Sequence, residues 1–155
     1  MKVKTLLRNA TTEDINAIAN VYLSSRKELV PFAPLIHSDE SIHEWVRNIL
    51  LPEERVIVAE EKGLIIGMMS LTKDGEIGRI RQLYIHPDAV GHGIGTLMIQ
   101  KAKSILGSPI HLYTFQENIG ARRFYERHGF QAIDFDDGSG NEECCPAILY
   151  EWTAE

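Results

Sequence analysis

A chain of 155 residues suits one domain with a real core, and ordinary apolar content with 25% charged residues excludes a disordered or fibrous composition. A net charge of -6 argues against a nucleic-acid surface, which would show a basic patch; it is compatible with a cationic small substrate but equally with plain solubility. No apolar run is long enough to span a membrane, and Met1 to Leu7 is basic without the apolar core of a signal peptide.

Residues 3 to 8, "VKTLLR", predict a first strand. In "TTEDINAIANVYLSSRKELV", Thr12 is the expected N-cap, with Glu13 and Asp14 in the first turn. Ile15, Ile18, Ala19, Tyr22 and Leu23 recur there at helical spacing before Pro31 and Pro34 interrupt. "SIHEWVRNILL" opens with Ser41 and Glu44 in capping-box spacing and is expected to stop at Pro52. "RVIVAE" and "LIIGMMSLT" are β-branched runs joined by a turn, and Asp74-Gly75 marks a second hairpin into "EIGRIRQLYI". A helix runs through Leu97, Met98, Ala102, Ile105 and Leu106 to Gly107. "IHLYTF" reads as a strand, "ENIGARRFYERHGF" as a helix, and "FQAIDF" and "AILYEW" as strands flanking "DDGSGNEECCP". This order predicts a single domain over 1–155 with a mixed α/β sheet and helices packed on it. The adjacent Cys144 and Cys145 suit two reduced thiols in a cytoplasmic protein, and no spacing among the six histidines suggests a metal.

The segment "YIHPDAVGHGIGTLMIQKAK" carries Gly91, Gly93 and Gly95 at alternate positions just before a helix. Free amides and the helix dipole make such a junction an anion site, and glycine lets backbone approach a phosphate. A nucleotide P-loop would end in Gly-Lys-Ser/Thr, whereas Gly95 is followed by Thr96 and Leu97. A dinucleotide fingerprint needs glycine at Thr96 and no gap after the strand, yet His86 to Val90 intervene.

"LYIHPDAVGHGIGTLMIQKA" resembles the acyl-CoA binding motif of the Gcn5-related N-acetyltransferases, and "NIGARRFYERHGF" resembles that family's second motif. The order of predicted elements is similar over nearly the whole chain. The resemblance implies a central, mostly antiparallel sheet with helices on both faces, and acetyl-CoA as co-substrate without a metal. It implies a pyrophosphate held on the amides of Val90, Gly91, His92, Gly93, Ile94, Gly95 and Thr96. The pantetheine arm would run beside Leu83, Tyr84 and Ile85 as an extra strand, splaying from the next strand. Asn118 matches the position that meets the pantetheine or thioester region, with Ala121, Phe124 and Tyr125 on or beside its helix face. Tyr125 matches the tyrosine that protonates the leaving sulfur.

The implied reaction is attack of a neutral primary amine, on a small molecule or a peptide, on the acetyl thioester in a ternary complex. Relatives with a glutamate on the strand before the glycine loop have a ready base; here Arg79, Arg81 and Gln82 stand there, with Glu76 farther up. His37, Glu142 and Glu143 are candidate bases, and Val90 replaces the usual Arg or Gln. The acidic run "DFDDGSGNEE" and the loop Pro31 to Asp39 are the candidate walls of the acceptor site, with Asn141 and Glu142 singled out beside His37. His92 is a candidate phosphate donor, while His43, His111 and His128 read as structural or solvent-facing. A non-catalytic acyl-CoA-binding sensor is the alternative class, motivated by the missing strand carboxylate. A homodimer is left open.

Overall fold

The computed structural model describes residues 4–154; Val3, where the first strand is expected to begin, and the start of the basic Met1 to Leu7 stretch lie outside them. Strand β1 (Leu6–Asn9) leads through a 3-10 turn (Thr12–Asp14) into α1 (Ile15–Leu29). The cap is Thr11, one residue before the expected Thr12. Its hydroxyl accepts from Glu13 N at 3.3 Å, and the Asp14 carboxylate accepts from Thr11 N at 2.8 Å. Asp14 also takes the Arg8 guanidinium in a two-pronged pair at 2.8 and 2.9 Å, which holds its carboxyl below the usual range.

Helix α2 (Asp39–Trp45) begins earlier than expected as well. Ser38 accepts from Ser41 N at 3.1 Å, so Ser41 is inside the helix and Asp39 and Glu40 occupy its first turn. Nor does Pro52 end the run. A π-helical segment (Val46–Leu50) carries it into a last turn, α3 (Leu51–Glu53), with Leu51 N bonded to Val46 O. A widened turn admits a proline whose ring would otherwise meet the carbonyl four residues back.

Then follow β2 (Arg55–Glu61), β3 (Leu64–Asp74), β4 (Ile77–Ile85), α4 (Ile94–Leu106), β5 (Ile110–Phe115), α5 (Ile119–Arg127), β6 (Gln131–Phe135) and β7 (Ala147–Trp152). The seven strands form one sheet in the order β1-β2-β3-β4-β5-β7-β6. All neighbours are antiparallel except β4 and β5.

Strand alternation sorts the core onto two faces. Ile57, Ala59, Met69 and Leu71 join α4, Leu112, Tyr125 and Tyr150 in one cluster. Val56, Val58 and Met68 join Ile18, Tyr22, Ile42, Val46 and Leu50 from α1 and the α2 run in the other. The helices thus cover both faces of the sheet, as expected.

Two irregularities in β4 position everything that follows. Ser70 pairs with Gln82 and Leu71 with Ile80, so Arg81 is an unpaired bulge residue. Parallel pairing with β5 stops after Gly78↔Ile110 and Arg79↔His111. Beyond that point the two strands separate.

Candidate functional site

A cleft of about 1930 Å³ runs through the gap between β4 and β5 and is lined from both faces of the sheet. Its edge on β4 is set by hydrogen-bond alternation. His86 N donates to Ile66 O of the β3 side at 2.8 Å, so the amides of Ile85 and Leu83 face the gap, where β5 no longer offers carbonyls. Leu83 and Ile85 pack against the α4 cluster, while Tyr84 packs with α1 and α2.

At one end lies the glycine loop. Gly91 and Gly93 have φ of +87° and +83°, and a Cβ at either would meet nothing within 4 Å. They are glycine for backbone conformation. Gly95 is glycine for a different reason: a Cβ there would lie 2.9 Å from Phe124 Cζ. The first helical bond of α4 runs from Leu97 N to Gly93 O at 3.2 Å. The amides from Gly91 to Thr96 therefore have no backbone acceptor among the described residues, at the positive end of a helix. Val90, Gly91, Gly93, Ile94, Gly95 and Thr96 line the cleft; His92 is exposed and is not part of its lining. Thr96 Oγ1 lies 3.2 Å from His128 Nε2, whose pKa is lowered by burial and by Lys103 and Arg127.

Helix α5 forms the opposite wall. Asn118 is its N-cap, the side-chain oxygen accepting from Ala121 N at 3.2 Å, while its amide nitrogen has no partner among the described residues and the residue lines the cleft. Ala121, Phe124 and Tyr125 also line it. The Tyr125 ring is buried between Phe124 and Phe130, with centroids 5.3 and 5.9 Å away. Its hydroxyl makes no hydrogen bond among the described residues, and burial alone pushes its pKa well above the ordinary tyrosine value.

The other end is built by α1, the Pro31 to Ser38 loop, and the loop between β6 and β7. His37 and Glu142, 105 residues apart, meet there. His37 Nε2 is 3.1 and 3.2 Å from the two carboxylate oxygens. Asn141 lines the cleft but spends its amide on the loop, with Nδ2 donating to Cys145 O at 2.8 Å and Oδ1 accepting from Cys145 N at 3.2 Å. Glu143 Oε2 lies 3.7 Å from Arg26 Nη1.

Arg26, Tyr22 and Trp45 line the same end, and no motif pointed to them. The signal was present in the periodicity. Arg26 follows Tyr22 by four in the apolar stripe of α1, where a charged residue is out of place. The arginines that stand where some relatives carry a glutamate are engaged or exposed. Arg79 Nε donates to Asp74 at 2.8 Å, and Arg81 is exposed on the bulge. His111 is tied to Glu151 at 2.9 Å across β5 and β7, and His43 Nδ1 lies 2.8 Å from Asp39 O. Cys144 and Cys145 are free thiols.

A seven-stranded sheet split between β4 and β5, with a glycine loop opening a helix beside the split, is the architecture of the GNAT acetyltransferases. The sequence matches the acetyltransferase (GNAT) family over residues 16–130, and the chain belongs to that family. An uncharacterised N-acetyltransferase of Archaeoglobus fulgidus is 26% identical over 148 residues, 88% of this chain and 99% of its own length. One from Methanocaldococcus jannaschii is 27% identical over 138 residues, 81% of this chain, and this chain spans 60% of that relative's length. The crystal structure of PaiA N-acetyltransferase from Thermoplasma acidophilum, in complex with coenzyme A, shares the fold with a TM-score of 0.77 at 21% identity, covering 97% of this chain and 99% of that one. Among the described residues no helix is long and apolar enough to cross a membrane, and no group of three or more His, Cys, Asp or Glu could hold a metal ion.

Proposed function

We propose that the protein is an N-acetyltransferase that moves the acetyl group of acetyl-CoA to the primary amine of a small molecule or peptide, by direct attack in a ternary complex. The observation that carries this reading is the single cleft joining the glycine loop to the aromatic and acidic pocket through the gap in the sheet. Coenzyme A in the crystal structure of the Thermoplasma protein supports it. The residues present fit the cofactor. Amides without acceptors from Gly91 to Thr96, and open space above Gly91 and Gly93, suit a pyrophosphate. The Leu83 and Ile85 amides suit an extended arm.

When bound, acetyl-CoA supplies a thioester carbonyl as electrophile. The Leu83 and Ile85 amides would hold the arm, and an amide of this strand would stabilise the negative charge that develops on the carbonyl oxygen. Tyr125 keeps its proton because burial disfavours the phenolate, and holds it for the departing sulfur. At the rim, an Nε2–H donated to Glu142 would leave Nδ1 of His37 as the nitrogen that takes the amine's proton.

The test is coenzyme A calorimetry with thiol release over an amine panel. The wild type binds and releases thiol with at least one amine, and Gly93→Val loses about tenfold or more in affinity, about 1.4 kcal/mol. Unchanged affinity in Gly93→Val overturns the loop assignment. Tight binding with silence across the panel makes the protein an acyl-CoA sensor instead.

A further inference from the structure

Arg26 is only 4% exposed, yet it lines the cleft. Burying a guanidinium is costly unless its five N–H groups find acceptors. Two of them do: Nη1 donates to the Tyr22 hydroxyl at 3.0 Å and Nη2 to Pro34 O at 3.2 Å. Nε is buried without a partner among the described residues. Glu143 offsets the charge from 3.7 Å, beyond hydrogen-bond reach.

The neighbours repeat the pattern. The Tyr22 oxygen already accepts from Arg26, so its own proton is directed elsewhere. The Tyr84 ring stands edge-on to Tyr22 at 4.9 Å, and its hydroxyl oxygen faces the Arg26 guanidinium, which leaves its own proton to donate. Burial raises the Tyr84 pKa while Arg26 opposes the rise, which puts the cation close to that oxygen. One N–H and two O–H donors thus gather beside a buried positive charge, under the rings of Trp45 and Phe115. They lie on the α1 face, away from the glycine loop.

Resting on the acetyltransferase reading, we infer that Arg26, with the Tyr22 and Tyr84 hydroxyls, is a carboxylate-accepting subsite, so that the acceptor carries amine and carboxylate in one small molecule of the amino-acid type. Arg26 and the phenols take the carboxylate; Glu142 and His37 at the rim face the amine.

Thiol release is measured with matched pairs: glycine, glutamate, phenylalanine and lysine, each against its own carboxamide. The carboxamides are intrinsically better nucleophiles near neutral pH, so a preference for the acid runs against chemical bias. In at least one pair the wild type favours the acid about tenfold or more in kcat/KM. Arg26→Lys, which keeps the charge but not the planar fork, and Arg26→Gln both collapse that ratio through the acceptor KM, with the acetyl-CoA KM unchanged. Ratios near one in all pairs, or a ratio surviving in Arg26→Gln, overturn the inference, and the wild-type ratios decide even if a variant misfolds. Failure of the underlying activity is distinguishable, since no amine then releases thiol. In that case the same four amino acids are titrated into the coenzyme A complex. Binding lost in Arg26→Gln upholds the subsite, and no binding to the wild type overturns it.

Discussion

Replacing Gly95 by alanine probes the contact that sets the cleft width at the glycine loop. The residue is the second of α4 and has an ordinary helical backbone, so alanine gains up to about 1 kcal/mol of helix propensity. Against this, the new Cβ would lie 2.9 and 3.0 Å from two atoms of the Phe124 ring, where carbon atoms prefer about 3.5–4.0 Å. The ring must retreat by roughly 0.6 Å or more, and overpacking of that kind costs about 1–3 kcal/mol. The net is a loss of about 0–3 kcal/mol, and each kcal/mol lowers Tm by about 2–4 °C in a chain of this size. Phe124 does not move alone. Its ring is 5.3 Å from Tyr125 and 4.7 Å from His128, so coenzyme A affinity falls with stability. Thermal unfolding of Gly95→Ala, Phe124→Leu and the double variant gives the coupling directly: the second change relieves the first, by about 1 kcal/mol. If Gly95→Ala melts at or above the wild type and shows no coupling to Phe124→Leu, the close-contact argument is wrong.

Tyr125→Phe lowers kcat by about 10-fold or more and leaves coenzyme A affinity within about threefold; an unchanged kcat across the pH range removes the tyrosine as proton source. His37→Ala and Glu142→Gln both depress kcat/KM at neutral pH and partly recover as pH rises and free amine accumulates, and a flat ratio of variant to wild type over pH would exclude the pair as base. Asp14→Asn destabilises by about 1–3 kcal/mol. Because the Asp14 pKa is lowered in the fold, its contribution is present above the ordinary carboxylate range and lost as pH falls through the folded value. Acid unfolding of the variant should therefore be shallower than that of the wild type, and parallel curves would refute the linkage.

The glycine-loop end of the cleft was legible because it is local. Gly91, Gly93, Gly95 and the helix they open sit within one short segment, and Asn118 to Tyr125 within another, so spacing alone brings each set together. The opposite end is assembled from α1, the loop after it and the loop before β7. His37 and Glu142 could be suspected one at a time, but their contact spans 105 residues and has no spacing to read. Arg26 carried a signal in its place on the α1 stripe, but its type argued the other way, since a charged residue near a helix end is ordinarily a solvated one favoured by the dipole. The helix caps were misplaced by one and three residues, because Thr12 and Ser41 satisfy the same capping chemistry that Thr11 and Ser38 win. The π-helical turn before Pro52 is a tertiary accommodation with no local signature.

The separation of β4 and β5 leaves two strand edges facing each other inside the protein. An open edge normally invites a neighbouring chain to add itself to the sheet. Here each edge faces the other half of the same sheet across the cleft, and β3 and β7 already occupy the far sides of β4 and β5. A foreign strand therefore finds these edges inside the fold and not on its rim. On the proposed reading, an edge that would otherwise seed aggregation is kept for an extended ligand.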